Sequence, residues 1–157
     1  MEKVAVFPGS FDPFTVGHEA IVRRALSLFD KVIVAVGQNA VKKSLITIDN
    51  RLALIKDVFS DEKRVEVLSY EGLTVNFCNS LGAKFILRGL RTSADFEYER
   101  AIGQVNKMLL PNIESVFLLA SPEHTPVNST IVRDIILNGG DASMFLPLKI
   151  DIKKYLD

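Results

Sequence analysis

The chain has 157 residues, 48% hydrophobic and 24% charged, values ordinary for a soluble globular protein with one sizeable core. Its 19 basic side chains balance 19 acidic ones, which argues against a nucleic-acid polymer as the main partner, since such binders carry a basic excess or stripe. The lone Cys78 excludes an internal disulfide and points to a reducing, cytoplasmic compartment, two histidines without paired cysteines make no zinc site, and no apolar run is long enough for a signal-peptide core or a membrane span.

Val4 to Phe7 is a short apolar run, expected as a buried strand. It enters Pro8-Gly9-Ser10-Phe11-Asp12-Pro13-Phe14-Thr15-Val16-Gly17-His18, a long strand-to-helix turn with Pro8-Gly9 and Asp12-Pro13 as turn residues. The first helix is expected from about Gly17 to Phe29, with Ile21, Ala25, Leu28 and Phe29 on one face. Asp30 ends it, and Lys31 to Val36 reads as a second buried strand. The segment Gly37 to Leu45 is polar and carries Lys42-Lys43. Thr47 caps a second helix whose inner face is Ile48, Leu52, Ile55 and Phe59. Strand three is Val65 to Leu68. Gly72 precedes a third helix, with Thr74 in its first turn and Val75, Phe77, Cys78 and Leu81 on its apolar side. Strand four, Phe85 to Leu87, runs straight into Arg88-Gly89-Leu90-Arg91. The fourth helix begins near Ser93 to Asp95, carries Tyr98, Ile102, Val105 and Leu109 at helical spacing, and stops at Pro111. Strand five is Ser115 to Ala120. The loop Ser121 to Asn128 leads to a fifth helix with Ile131, Val132, Ile135 and Ile136 inward, closed by Asn138-Gly139-Gly140 in a left-handed cap. Pro147 is expected to open a short final helix.

Five strands alternating with five helices, without repeats or a linker, predict an α/β fold. It is a doubly wound, Rossmann-like, five-stranded parallel sheet forming one domain over residues 1–157. Ligands bind such sheets beyond the carboxyl ends of the strands, where the strand order reverses. The chemically suggestive residues fall there. The first turn gives Ser10 and His18, and the segment after strand two gives Lys42. Strand four gives Arg88 and Arg91, and the last loop with helix five gives His124, Ser129, Thr130 and Arg133.

The turn lacks the spacing of a dinucleotide fingerprint or a P-loop. Its Thr15-Val16-Gly17-His18 resembles the Thr-x-Gly-His signature of the nucleotidylyltransferase superfamily, which implies transfer of a nucleoside monophosphate to a phosphorylated acceptor with release of pyrophosphate. That chemistry needs positioning and stabilised negative charge more than a protein nucleophile. His18, in the first turn of a helix, can donate to an α-phosphate oxygen, with Gly17 leaving room for it. Ser10 can offer its hydroxyl to the acceptor phosphate. Lys42 fits an anion or a solvated surface pair with Lys43 equally well. Arg88 after three buried strand residues is awkward unless it meets an anion, and Gly89 lets a ligand approach. Glu99, between Glu97 and Arg100, reads from its neighbours as part of a solvated charged face. Asn128-Ser129-Thr130 reads first as a helix cap, and the same N–H groups and hydroxyls suit phosphates, with Arg133 one turn on.

The turn Phe7 to His18, Arg88 to Arg91, Asp95-Phe96-Glu97-Tyr98-Glu99 and Ser129-Thr130 together resemble the phosphopantetheine adenylyltransferase family over the whole chain. The resemblance implies transfer of AMP from ATP to 4′-phosphopantetheine, giving dephospho-coenzyme A and pyrophosphate, with Mg²⁺. It implies that Ser10, Lys42, Thr74 and Arg88 hold the acceptor, and that His18, Lys42 and Arg91 are catalytic. ATP would be met by Gly9, Ser10, Phe11, His18, Gly89, Leu90, Arg91, Glu99, His124, Thr125, Pro126, Val127, Asn128, Ser129 and Thr130. The chain departs from the family pattern at Phe7, where Tyr is frequent, at His124, where Trp is frequent, and at Asn128, where Ser is frequent. No carboxylate cluster marks a Mg²⁺ site, so the ion is expected on phosphates and water. The resemblance also implies a homohexamer and feedback by coenzyme A. Phe145, Leu146, Leu148 and Ile150 are expected to supply spare apolar surface for assembly. Two alternatives stay open: a nucleotidylyltransferase of the same fold acting on nicotinamide mononucleotide, a flavin precursor or a polyol phosphate, and a non-catalytic nucleotide sensor.

Overall fold

The computed structural model describes residues 1–157 as strands and helices in strict alternation: β1 (Val4–Gly9), α1 (Val16–Ala25), β2 (Lys31–Gly37), α2 (Ile48–Val58), β3 (Val65–Tyr70), α3 (Thr74–Ser80), β4 (Phe85–Leu90), α4 (Ser93–Leu109), β5 (Glu114–Leu119) and α5 (Ser129–Leu137). Short 3₁₀ turns cover Pro122–His124, Ser143–Phe145 and Ile152–Lys154. The sheet is five-stranded and wholly parallel, in the order β3-β2-β1-β4-β5. The order therefore reverses between β1 and β4, which makes their carboxyl ends the switch point of the sheet.

The period of two along each strand sorts its side chains to the two faces. Ala5, Phe7, Val32, Val34 and Val36 join Ile21, Val22 and Ala25 of α1 and Leu54, Ile55 and Val58 of α2 in the larger core. Val6, Ile33, Ala35 and Ile86 pack on the other face with Val75 and Cys78 of α3. Each such large side chain is worth about 1.5–3 kcal/mol over leaving it in water. That is why the central strands read as unbroken apolar runs. A third cluster, Val127, Val132, Ala142 and Leu146, seats α5.

Several elements differ from expectation. Pro8 and Gly9 are strand residues, in register with Ala35 and Val36 of β2. Toward β4, β1 pairs only at Ala5 and Val6, so beyond Val6 the two strands part and open a crevice. Proline has no N–H to give, and pairing from one side suffices for it. Helix α1 ends at Ala25, and Leu28 in the turn after it is exposed. Leu81 and Ile131 are likewise exposed. Pro147 heads a turn rather than a helix, accepting from Ile150 N, and the last helical turn is the 3₁₀ piece at Ile152–Lys154. The C-terminal apolar residues are mostly used internally: Leu146 and Ile150 are buried, and Leu148 alone of them is fully exposed.

The largest departure is α4. Half of its apolar stripe looks outward, with Val105 53% and Leu109 56% exposed, while Tyr98 and Ile102 border the open space beside the sheet. The side toward the sheet carries Glu99, Gly103 and Asn106, one helical face by spacing. Glu99 is buried there, and Gly103 lies so near β5 that a Cβ on it would stand 2.9 Å from Ser115 Oγ. A polar inner face is costly in a packed core but apt where the helix lines a cavity.

Candidate active site

Two adjoining cavities occupy the crevice between β1 and β4, of about 270 and 350 Å³. The first is walled by the first turn, the start of α1, the end of β4 and the segment Ala120–Ser129. The second is walled by the ends of β2 and β3, Thr74 and α4. Pro8, Gly9, Ser10, Arg88 and Glu99 border both, so a ligand in one reaches a ligand in the other across Ser10 and Arg88.

The first turn is held from several sides. Phe11 sits at φ 48°, a left-handed conformation rare outside glycine. Its ring lies over Gly9, where a Cβ would come within 2.8 Å of it. Arg88 Nη1 donates to the Pro8 carbonyl at 2.5 Å, closing by a side chain the gap the sheet ladder leaves. Arg51 Nη1 donates to Ser10 O at 2.7 Å, Arg133 Nη1 to Asp12 O at 2.8 Å and Ser129 Oγ to Pro13 O at 2.8 Å. The Asp12 carboxylate accepts from Leu45 N and Ile46 N, each at 2.9 Å. A loop with this many carbonyl ties is rigid, which is what a pre-organised phosphate site needs.

His18 is the third residue of α1 and completes a capping box with Thr15. The Thr15 hydroxyl accepts from His18 N, and Thr15 N donates to His18 Nδ1 at 2.9 Å. A ring nitrogen that accepts carries no proton, so the proton stands on Nε2, free to donate. The imidazole packs among the rings of Phe11 and Phe14 at 5.0 and 5.2 Å. Burial, then the charges of Arg88 and Arg91, push its pKa down to about 3. His18 is therefore a neutral hydrogen-bond donor at physiological pH.

Arg88 meets an anion within the protein. Its Nε and Nη2 donate to Glu99 Oε2 and Oε1 at 2.9 and 2.7 Å, and the Glu99 side chain is only 9% exposed. The solvated face expected for Glu99 is thus overturned: it is the buried partner of Arg88. Arg88 keeps unused N–H groups on both Nη atoms and is about one-third exposed. Four residues before Glu99, Asp95 takes Arg91 Nε and Arg91 N, at 3.2 and 3.0 Å. Asn128 caps α5 by accepting from Ile131 N. The Ser129 hydroxyl and the Arg133 guanidinium are engaged with the first turn, and the hydrogen-bond donors facing outward are the first N–H groups of the helix.

Of the residues singled out from sequence, Gly9, Ser10, Phe11, His18, Gly89, Arg91, Glu99, His124, Val127, Asn128 and Ser129 line the first cavity. Ser10, Thr74 and Arg88 line the second, where Thr74 Oγ1 and Tyr70 Oη share a hydrogen bond of 2.8 Å. Leu90 is buried, Thr125 is half-buried, and Pro126 and Thr130 are exposed, all outside both linings. Lys42 lies on the exposed segment before Ser44 and borders neither cavity. His124 lines the first cavity with its Nδ1 buried and unpaired. Sequence reading passed over Tyr70, Asn106, Asp12 and Arg51. The i, i+4, i+7 spacing of Glu99, Gly103 and Asn106 was the available signal for the α4 wall.

Residues 6–135 match the cytidylyltransferase-like family. The chain is 50% identical to a phosphopantetheine adenylyltransferase of Flavobacterium psychrophilum, covering 95% of this chain and 98% of the other. It is 51% identical to one from Cytophaga hutchinsonii, over 96% and 100% of the two chains. A third, from Limosilactobacillus reuteri, is 45% identical over 98% and 90%. In solved structures the fold is similar to a Vibrio parahaemolyticus protein described as a nicotinate-nucleotide adenylyltransferase. The TM-score is 0.69 at 20% identity, over 93% of this chain and 94% of that one, a likeness of fold alone.

Proposed function

The chain belongs to the phosphopantetheine adenylyltransferase family, and from that premise we infer that it transfers AMP from ATP to 4′-phosphopantetheine in coenzyme A synthesis. An oxygen of the acceptor phosphate attacks the α-phosphorus, the bond from that phosphorus to the bridging oxygen breaks, and pyrophosphate leaves with the electron pair. The products are dephospho-coenzyme A and pyrophosphate.

The observation that carries this reading is the pair of cavities meeting at Ser10 and Arg88. In the reading, ATP takes the first, its phosphates toward the N-termini of α1 and α5, and the pantetheine arm takes the second, along Tyr70, Thr74, Tyr98 and Asn106. The two reacting phosphates then meet where the walls are shared. His18 Nε2–H donates to the α-phosphate oxygen as its charge grows, and its neutral state suits a donor that takes no proton. Arg88, already fixed by Glu99 and Pro8, presents its remaining N–H groups to the acceptor phosphate. Lys42 joins them if its segment folds over the crevice when substrates bind.

Mg²⁺ is expected with the triphosphate, where it neutralises charge on the phosphates. Asp95 and Glu99, the carboxylates lining the first cavity, are both engaged by arginines. The residues therefore suit an ion held through phosphate oxygens and water. The outward Val105, Met108 and Leu109 of α4 support a closed homo-oligomer, in keeping with the hexamer of the family. A cytoplasmic location and feedback by coenzyme A rest on the family alone.

An acceptor screen tests the function. Pyrophosphate release from ATP is expected with phosphopantetheine and not with nicotinamide mononucleotide, riboflavin phosphate or a polyol phosphate. Turnover of one of those at a comparable rate would reassign the enzyme within its superfamily.

A further inference from the structure

Arg51 stands on α2, outside both cavities, with only 6% of its surface exposed. A guanidinium so placed is costly unless its donors are met, and its three partners all belong to two segments bearing on the cleft. Nη1 donates to Ser10 O at 2.7 Å, Nε to Ile46 O at 3.0 Å and Nη2 to Ser44 Oγ at 3.3 Å. Asp12, beside it, receives the N–H groups of Leu45 and Ile46. The strip Ser44–Ile46 is thereby buckled to the first turn, while the residues just before it, Lys42 among them, are exposed.

We propose that Arg51 is a positioning residue for the transfer, setting the Ser10 hydroxyl and the Lys42 segment against the acceptor phosphate as one unit. Its planar fork sends donors in three directions at once, which a lysine cannot do. The proposal rests on the reading above that Ser10 and Lys42 address that phosphate. The triphosphate is held by other walls, Arg91 and the start of α5, so the effect of Arg51 falls on the acceptor side.

The test uses the full-length chain with Arg51→Lys and Arg51→Met. Steady-state kinetics, thermal melting and calorimetric ATP binding are measured for each. Arg51→Lys keeps one of the three ties, and displacement of reacting groups by a fraction of an ångström to an ångström costs tenfold to a hundredfold. The KM for phosphopantetheine is expected to rise about tenfold or more, the worth of one charge-assisted hydrogen bond to its phosphate. The preference for phosphopantetheine over pantetheine should fall in parallel, and the ATP dissociation constant should change several-fold less than the acceptor KM, since Arg91 and the start of α5 line the first cavity alone. A purely structural residue lowers the melting temperature and the active fraction, leaving both KM values and the phosphate preference at wild type. That outcome, or an equal loss of ATP affinity, overturns the proposal. Ser44→Ala removes only the Nη2 partner and should raise the acceptor KM roughly twofold to fivefold, the range of one modest hydrogen bond. If the Arg51 variants do not fold, a wild-type acceptor KM in Ser44→Ala overturns the proposal. Wild-type enzyme that releases no pyrophosphate with phosphopantetheine refutes the underlying function, which separates the two failures.

Discussion

Replacing His18 with alanine separates catalysis from binding. The wild-type ring accepts from Thr15 N through Nδ1 at 2.9 Å, which leaves Nε2–H as its one donor. That donor is fixed before substrate arrives, on a ring packed against Phe7, Phe11 and Phe14 at the wall of the first cavity. Loss of one pre-organised donor to a developing oxyanion lowers kcat by roughly 10²–10³, or about 2.7–4 kcal/mol of barrier. An interaction made mainly in the transition state contributes little to ground-state affinity. The substitution also leaves the buried Thr15 N without its partner, at a cost of about 1–3 kcal/mol of stability, a fall of several degrees in Tm. The assay pairs kcat at saturating ATP and phosphopantetheine with calorimetric ATP binding. The expected result is a kcat loss of that size with ATP affinity within a few-fold. Collapse of ATP affinity with kcat near wild type would make His18 a binding residue and refute the mechanism.

Three further outcomes follow from the same geometry. With the His18 pKa held near 3 against an ordinary 6.5, the unfolded chain binds the extra proton between those values. His18 therefore makes no pH-dependent contribution above about pH 6.5 and weakens the fold progressively as pH falls toward 3; its imidazole signal by NMR in the free enzyme should show the neutral ring down to about pH 4, and titration near 6.5 would contradict the packing described. Glu99→Ala leaves Arg88 without its bidentate partner. Loss of one member of a buried pair costs about 3–5 kcal/mol, and the one-third exposure of Arg88 reduces this to about 1–3 kcal/mol, readable by urea denaturation, with an unchanged midpoint counting against the ion pair. Gly9→Ala places a methyl 2.8 Å from the Phe11 ring, and overpacking of this kind costs about 1–3 kcal/mol; a melting temperature equal to wild type would mean that the Phe11 turn yields freely.

Much of the architecture was legible because it follows from local rules. The runs Val4–Phe7 and Lys31–Val36 became the central strands. Thr47 and Asn128 cap α2 and α5, and Gly139, at φ 76°, ends α5. The Thr15-Val16-Gly17-His18 motif led to the crevice because Gly17 and His18 open the helix at the switch point. What stayed hidden depends on partners distant in sequence. Pro8 and Gly9 carry turn composition but extend β1 because β2 pairs with them from one side. Glu99 sits between charged neighbours, and only the path of α4 across β4 shows that it faces Arg88, 11 residues away. The stripe Tyr98, Ile102, Val105 and Leu109 has helical spacing, but spacing gives a face and not its direction. Two of the three partners of Arg51 are backbone carbonyls, which leave no trace in residue type.

In the proposed reaction the two cavities bring an ATP α-phosphate and an acceptor phosphate together across Ser10 and Arg88. A single-turnover reaction with ATP and either phosphopantetheine or pantetheine, followed by mass spectrometry of the products, tests it most directly. Dephospho-coenzyme A and pyrophosphate are expected in equal amounts from phosphopantetheine, and scarcely any adenylylated product from pantetheine, whose missing phosphate leaves Arg88 without its ligand. Comparable adenylylation of both acceptors, or release of ADP and phosphate in place of pyrophosphate, would contradict it.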